Sequence, residues 1–216
     1  MNIEYNLSNI DYNEIELKAK IEEATKYSIS EISVPFAYTK LCKSLVKDTR
    51  IKVSNPVDYP LGIMDSQSRA CSIKNAIDNG AQKINIVIQN NLLCSKKYDK
   101  IKQDIQNNYN ICIDKNIELN YIVEYRTFTH QSLIKACSIL LENNIQKVYV
   151  STGFMLDNPE DNLIATVLLK DKSKIQTIFT GNIWTVKHVD NLKKNKISDI
   201  ATNSIESIKL IHKHLI

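Results

Sequence analysis

Short runs of apolar and β-branched residues alternate with longer amphipathic segments along the chain from about residue 30 onward. Strands are predicted at seven of these runs, 31–34, 51–54, 83–88, 118–125, 147–151, 175–180 and 198–202. Helical periodicity occupies 15–25 and the segments 38–46, 66–79, 97–114, 130–143, 161–169, 186–193 and 204–214. This alternation is typical of repeated βα units with parallel strands.

The number of strands decides between two architectures. Seven parallel strands suit an open doubly wound sheet, whereas eight with intervening helices form a closed (β/α)8 barrel. The one remaining segment for an eighth strand is 3–7, at the N-terminus. No Gly-rich or Pro-rich linker and no shift of composition divides the chain, so we predict a single domain over 1–216.

Composition and charge exclude several classes of protein. No apolar run approaches the roughly 20 residues that span a bilayer, and the N-terminus lacks the features of a secretory signal, so we expect a cytoplasmic protein without membrane contact. The net charge of +4 comes from dispersed lysines, which predicts no nucleic-acid partner. The five cysteines form no CxxC pair and no histidine stands at ligand spacing, so neither a metal nor another cofactor is predicted.

The chain holds only four glycines, and each lies where a turn is expected. They occur in Tyr-Pro-Leu-Gly at 59–62, Ala-Ile-Asp-Asn-Gly-Ala at 76–81, Ser-Thr-Gly-Phe at 151–154 and Gly-Asn-Ile-Trp-Thr at 181–185. Glycine suits such turns because it tolerates positive φ and allows the backbone to approach an anion closely. In order, these motifs resemble the Phe-Pro-x-Gly, Ala-Ile-x-x-Gly-Ala, Lys-Thr-Ser-Thr-Gly-Phe and Gly-Gly-Ile-Arg-Thr segments of the deoxyribose-phosphate aldolase family.

Weaker matches continue this resemblance in order along nearly the whole chain, at 3–7, 32–34, 123–124 and 201–204. The family fold is a (β/α)8 barrel. The resemblance therefore implies a closed barrel, with segment 3–7 as its missing strand.

The resemblance also implies a chemistry that this chain does not match. The family splits or joins a sugar phosphate through a Schiff base on a lysine, assisted by a second lysine and a proton-relay aspartate. Tyr149, Ile178 and Asn85 stand at these three positions. A phenol does not condense with an aldehyde to an imine, and an amide does not take up and return a proton near neutral pH. We therefore expect that the Schiff-base mechanism is lost.

A phosphate site is the second feature that the resemblance implies. Its candidate residues lie in the turns after three strands, and they are Ser151, Thr152, Gly153, Gly181, Asn182, Thr202, Asn203 and Ser204. Arg126, just beyond Glu124, is a further candidate anion contact that the family motifs do not supply. The second glycine and the arginine of the family motif are replaced by Asn182 and Trp184. A small phosphorylated ligand is one expectation for these turns, and ordinary turn and helix-cap structure is the other.

Three functions stay open at this point. The first is a catalytically degenerate relative that binds a small phosphorylated ligand or a protein partner. The second is an active but divergent aldolase that cleaves 2-deoxyribose 5-phosphate with a displaced lysine. For that role Lys52, Lys83 and Lys147 are weak candidates, because all three begin strands and so lie at the end of a barrel opposite the usual active site.

The third function is a purely structural or interaction protein, for which we expect Tyr149 and Trp184 to block the mouth of the barrel. The sequence leaves the oligomeric state open, and a homo-oligomer is compatible with it.

Overall fold

Eight parallel strands close into a barrel in chain order, and the first strand pairs with the last. The computed structural model describes residues 1–8, 11–154 and 158–215. The strands are β1 Asn2–Asn6, β2 Glu31–Ser33, β3 Lys52–Val57, β4 Lys83–Val87, β5 Glu118–Ile122, β6 Lys147–Tyr149, β7 Gln176–Thr180 and β8 Asp199–Thr202. The predicted closed barrel is confirmed, and its eighth strand is the N-terminal one.

Helices connect successive strands and surround the barrel. They are α1 Glu14–Ala24, α2 Thr39–Leu45, α3 Ser66–Asp78, α4 Asn90–Cys94, α5 Tyr98–Ile113, α6 His130–Glu142, α7 Pro159–Ser173, α8 Val186–Lys194 and α9 Ile205–Leu215. A 3-10 turn, Phe36–Tyr38, precedes α2. In the described ranges, no helix is both long enough and apolar enough to cross a membrane.

Several element bounds differ from the predicted ones, and two of the differences have a clear local cause. Helix α7 begins two residues before the predicted start, because the Asn158 side chain caps it and Pro159 fits the first helical turn. Helix α4 was not predicted, since five residues are too few to establish a helical period.

The strands separate an apolar outer layer from a polar interior. On β1, for example, Ile3 and Tyr5 point outward and join the helix-facing core with Leu17 and Ile21, whereas Glu4 between them is buried in the barrel. Side chains alternate between the two faces of a strand, so every second position faces the interior. Inward positions of this chain carry several charged and amide groups where barrels commonly carry branched apolar side chains.

A buried ion pair fixes the loop that follows β3 over the carboxyl end of the barrel. Arg69 on α3 is fully buried, binds the Asp58 carboxylate and donates to the Val87 carbonyl at 2.8 Å. Gly62 in the same loop has a φ of 63°, and a Cβ there would lie 2.2 Å from the Ile88 carbonyl oxygen. The loop therefore has little freedom, and its Tyr59 is held at the barrel mouth.

Candidate functional site at the carboxyl end of the barrel

A cavity of about 270 Å³ opens where β6, β7 and β8 end. We call it the mouth cavity, and the described residues that line it are Asn6, Tyr59, Thr152, Gly153, Phe154, Pro159, Thr180, Gly181, Asn182, Trp184, Ala201, Thr202 and Asn203. In barrel enzymes the active site lies at this end of the strands. Neither Tyr149 nor Trp184 closes the cavity, because Tyr149 lies below it and Trp184 is 60% exposed at its rim.

The turn after β6 is organised by a buried carboxylate. Glu124, just beyond β5, accepts hydrogen bonds from the Thr152 amide at 3.1 Å, the Thr152 hydroxyl at 2.9 Å and the Ser151 hydroxyl at 3.2 Å. This arrangement presents Thr152 and Gly153 to the mouth cavity and turns Ser151 away from it. Arg126 packs over the Tyr125 ring at 4.4 Å and does not line the cavity.

The turn after β7 is shaped by its glycine. Gly181 has a φ of 145°, and a Cβ there would lie 2.9 Å from Asn162 Nδ2. That Asn162 amide donates to the Thr180 carbonyl at 2.7 Å, so α7 holds the turn directly. The next residue, Asn182, accepts a hydrogen bond from the Thr202 hydroxyl at 2.7 Å, which links this turn to the end of β8.

The turn after β8 leads into α9 and is satisfied internally. The Thr202 hydroxyl oxygen accepts from the Ser204 amide at 3.3 Å, and Ser204 Oγ accepts from the Ser207 amide at 3.2 Å. Ser204 thus serves as a helix cap beside the cavity, as one of the two sequence interpretations expected. The structure brings Gly181, Asn182, Thr202 and Asn203 together with the β6 turn around one cavity.

The three family-equivalent catalytic positions lie below the mouth cavity, inside the barrel. Tyr149 is 3% exposed, and its hydroxyl donates to the Glu4 carboxylate and accepts from Lys83 Nζ at 3.1 Å. Asn85 donates to the Glu31 carboxylate at 3.1 Å. These five side chains, Glu4, Glu31, Lys83, Asn85 and Tyr149, are called the interior cluster.

Lys83 is a residue of the interior cluster whose surroundings the sequence reasoning missed. It begins β4, as predicted, yet its side chain is 7% exposed and lies within the barrel in an ion pair with Glu31. Burial disfavours its charge, but the carboxylates of Glu31, Glu4 and Glu118 outweigh that effect and raise the pKa of Lys83 to about 12. The sequence did contain a signal for this position: Lys83 is two residues from Asn85, and residues two apart on a strand face the same side, here the barrel interior.

Two groups of the interior cluster, the Glu4 carboxyl and the Tyr149 phenol, hold their protons more strongly than usual. Burial, reinforced by the charge of Glu31, raises the pKa of Glu4 to about 8. Burial, together with the nearby carboxylates of Glu31 and Glu4, raises the pKa of Tyr149 well above its usual value. The phenol is therefore neutral at physiological pH.

An apolar layer separates the interior cluster from the mouth cavity. It is formed by Val87, Ile122, Ile178, Ala201 and the Tyr149 ring, with Tyr59 packed against it. Ala201 and Tyr59 also line the mouth cavity, whereas the Tyr149 hydroxyl reaches the interior cluster on the other side. None of the described residues that line the cavity is a lysine.

The two other lysines considered in the sequence lie at the opposite end of the barrel. Lys147 pairs with Asp199 at 2.8 Å, and Lys52, with its side chain 53% exposed, pairs with Glu118 at 3.0 Å. Among the described residues, no three histidine, cysteine or acidic side chains are arranged to hold a metal ion.

Curated relatives of this chain include proteins named deoxyribose-phosphate aldolase. This chain is 33% identical over 211 residues to "Deoxyribose-phosphate aldolase" of Finegoldia magna, and the match covers 97% of this chain and 96% of that protein. It is 31% identical over 192 residues to the protein of that name from Caldicellulosiruptor saccharolyticus, covering 88% and 86% of the two chains. No protein-family model matches the sequence.

Solved structures agree on the fold. "QR15, an Aldolase" superposes with a TM-score of 0.85 at 20% identity, covering all of this chain and 94% of that one. A structure described as the "unique tetrameric structure of deoxyribose phosphate aldolase from Aeropyrum pernix" superposes with a TM-score of 0.84 at 15% identity, covering all of this chain and 91% of that one.

Proposed function

Because the chain belongs to the deoxyribose-phosphate aldolase family, we propose that it keeps the family barrel without Schiff-base chemistry and binds a small molecule in the mouth cavity. The observation that carries the first part is the environment of Tyr149. Its neutral, buried hydroxyl bridges Glu4 and Lys83 where the family resemblance places the nucleophilic amine. A phenol in that position offers no route to an imine.

The rival proposal, an active aldolase with a displaced lysine, requires an uncharged amine that meets the substrate. Lys83 is the lysine nearest the required position, and two properties speak against it. Its raised pKa keeps the amine protonated, whereas imine formation needs the free base. The apolar layer also stands between Lys83 and the mouth cavity.

The two remaining family-equivalent positions support the same proposal. Asn85 donates one hydrogen bond from its amide nitrogen to Glu31, and an amide has no proton to relay. Ile178 contributes only apolar surface to the layer below the cavity. Neither position supplies a cation or a proton donor for carbanion chemistry.

Ligand binding at the mouth cavity is supported by its shape and composition. Hydroxyl and amide side chains converge there from the ends of three strands, beside aromatic surface. Convergent polar groups in a largely preformed pocket are typical of small-molecule sites. The candidate ligand contacts are Thr152, Gly153, Gly181, Asn182, Thr202 and Asn203. The family resemblance alone would imply a sugar phosphate as the ligand.

Self-association belongs to the proposal as well, because one structural neighbour is described as tetrameric. Light scattering of the purified chain tests it, and a mass of one protomer at all concentrations would contradict it.

The loss of aldolase activity is tested by a coupled assay for glyceraldehyde 3-phosphate released from 2-deoxyribose 5-phosphate. We expect no release above the uncatalysed background, with a bacterial deoxyribose-phosphate aldolase as the positive control. Turnover by this chain would contradict the proposal. The matched variant Lys83→Arg, which keeps the charge but cannot form an imine, then identifies the displaced lysine if it abolishes that turnover.

A further inference from the structure

We infer that the mouth cavity selects an uncharged polyhydroxyl compound of monosaccharide size over its phosphorylated counterpart. The inference rests on the proposed binding function and specifies its ligand class. It follows from four features of the cavity, which are its charge, its backbone donors, its side-chain polar groups and its aromatic rim.

The first feature is the lack of charge. Among the described residues that line the mouth cavity, none is acidic, basic or histidine. A phosphate monoester carries a charge of about −1.5 to −2 at neutral pH, and transferring such a charge into a cavity without a cation is unfavourable. Two carboxylates border the cavity: Glu124 accepts hydrogen bonds from the lining residue Thr152, with Arg126 3.9 Å from it, and Glu160, next to the lining residue Pro159, pairs with His188 at 3.1 Å.

The second feature is that three backbone donors in the turns after β7 and β8 already have partners. The Gly181 amide donates to the Ala201 carbonyl at 2.9 Å, and the Ile183 amide donates to Ser207 Oγ at 2.8 Å. The Ser204 amide donates to the Thr202 hydroxyl. An anion that used these three N–H groups would have to break the bonds that they already make.

The third feature is a set of side-chain groups suited to hydroxyl partners. Thr180 Oγ1 is buried and has no hydrogen-bond partner among the described residues, and Thr180 lines the cavity. A buried polar group without a partner is unfavourable unless a ligand or water supplies one. The side-chain amides of Asn182 and Asn203 lie in the same lining, and an amide both donates and accepts hydrogen bonds, as a sugar hydroxyl does.

The fourth feature is the aromatic rim. Trp184 is 60% exposed and Phe154 is 55% exposed, although large aromatic side chains are usually covered. Tyr59 meets Phe154 edge to face at a centroid separation of 6.2 Å and donates from its hydroxyl to the Thr152 carbonyl at 3.0 Å. Flat apolar surface beside amides and hydroxyls matches a compound with an apolar C–H face and a ring of hydroxyls.

Isothermal titration calorimetry with three probes tests the inference on the full chain. The probes are 2-deoxyribose, 2-deoxyribose 5-phosphate and inorganic phosphate. We expect 2-deoxyribose to bind about tenfold more tightly than its 5-phosphate, a difference of about 1.4 kcal/mol, and inorganic phosphate not to compete. Tighter binding of the 5-phosphate, or competition by inorganic phosphate, overturns the choice of ligand class and leaves the proposed binding function standing.

Variants locate the binding in the mouth cavity. We expect Thr180→Val and Trp184→Ala each to weaken 2-deoxyribose binding about fivefold to tenfold, while circular dichroism melting curves stay like those of the wild type. Ile63→Ala, which truncates an equally exposed side chain outside the cavity, is the matched control and leaves the affinity unchanged. Equal affinity in all three variants overturns the assignment to this cavity, and no binding of either sugar overturns the proposed binding function itself.

Discussion

The interior cluster and the mouth cavity lie on opposite sides of one apolar layer, and a buried hydroxyl on each side differs in its hydrogen bonding. In the interior cluster the Tyr149 hydroxyl has two partners, and Lys83 is paired with Glu31. At the mouth, Thr180 Oγ1 is buried without a partner among the described residues. A hydroxyl with two buried partners acts as structure, whereas one without a partner that lines a cavity is available to a ligand. Under the proposed function, the family-equivalent catalytic position belongs to the core and the mouth binds the ligand.

Replacing Lys83, the cation of the interior cluster, is expected to have the largest effect on the free energy of unfolding. Lys83→Met leaves Glu31 buried with an uncompensated charge, and we expect a loss of about 3–5 kcal/mol in the free energy of unfolding. Urea denaturation measures it. Lys52→Met removes a largely exposed partner of Glu118 and is the control, with an expected change below about 1 kcal/mol. Equal effects in the two variants would mean that the interior cluster is not a structural unit.

Removing the bridging hydroxyl gives the next effect. Tyr149→Phe keeps the ring in the apolar layer but takes one partner from Glu4 and one from Lys83. We expect a loss of about 1–3 kcal/mol in urea denaturation, because both partners stay buried. A variant as stable as the wild type would contradict the bridging role.

The pH dependence of stability sharpens the same comparison. The folded-state pKa of Glu4 is raised from its ordinary value of 4.5 to about 8, so the folded state binds more protons than the unfolded state between those values. This contribution is fully present below about pH 4.5 and is lost as the pH rises through 8. We expect the free energy of unfolding to fall by an amount on the order of 1 kcal/mol or more between pH 5 and pH 9.

The control for this pH dependence is Glu4→Gln, which keeps the shape and removes the titration. Its profile over the same range should be flatter than that of the wild type. Asp199 does not interfere, because hydrogen bonds from Lys147, Ser198 and Asn2 outweigh burial and lower its pKa to about 2, so that its effect falls below pH 4. Parallel profiles for the two proteins would exclude Glu4 as the source.

The smallest effect is expected at the mouth. Thr180→Val replaces a buried hydroxyl without a partner by a methyl group, so the free energy of unfolding should change by less than about 0.5 kcal/mol or rise slightly. Differential scanning calorimetry measures it. Together with weakened ligand binding, this outcome would separate the mouth from the interior cluster; a loss like that of Tyr149→Phe would remove the distinction.

The sequence predicted the architecture because strand and helix periods differ and the strands alternate with helices. It also predicted which turns meet at the mouth, since the carboxyl ends of parallel strands lie at one end of a barrel. The sequence did not predict the direction in which individual side chains of those turns point. Ser151 points away from the cavity because Glu124 binds it, and that contact joins residues 27 positions apart.

The interior cluster was beyond sequence reasoning for a related reason. Lys83 was assigned by its place at the start of a strand, but the surroundings of a lysine amine depend on its long side chain and on neighbouring strands. Glu31 and Glu4 come from β2 and β1, and only the strand register of the closed barrel brings their carboxylates beside β4. The identity of Tyr149 at the family's nucleophile position led to the prediction that the Schiff-base mechanism is lost, but it did not predict the partners of the Tyr149 hydroxyl.

The central claim, that no lysine of this chain forms a Schiff base, is tested most directly by borohydride reduction. The full chain is incubated with 2-deoxyribose 5-phosphate and then with sodium borohydride, which converts any imine to a stable secondary amine, and intact-mass and peptide mass spectrometry follow. We predict an unmodified protein under conditions in which a bacterial deoxyribose-phosphate aldolase is labelled. A stoichiometric adduct on Lys83, or on any other lysine, would contradict the account.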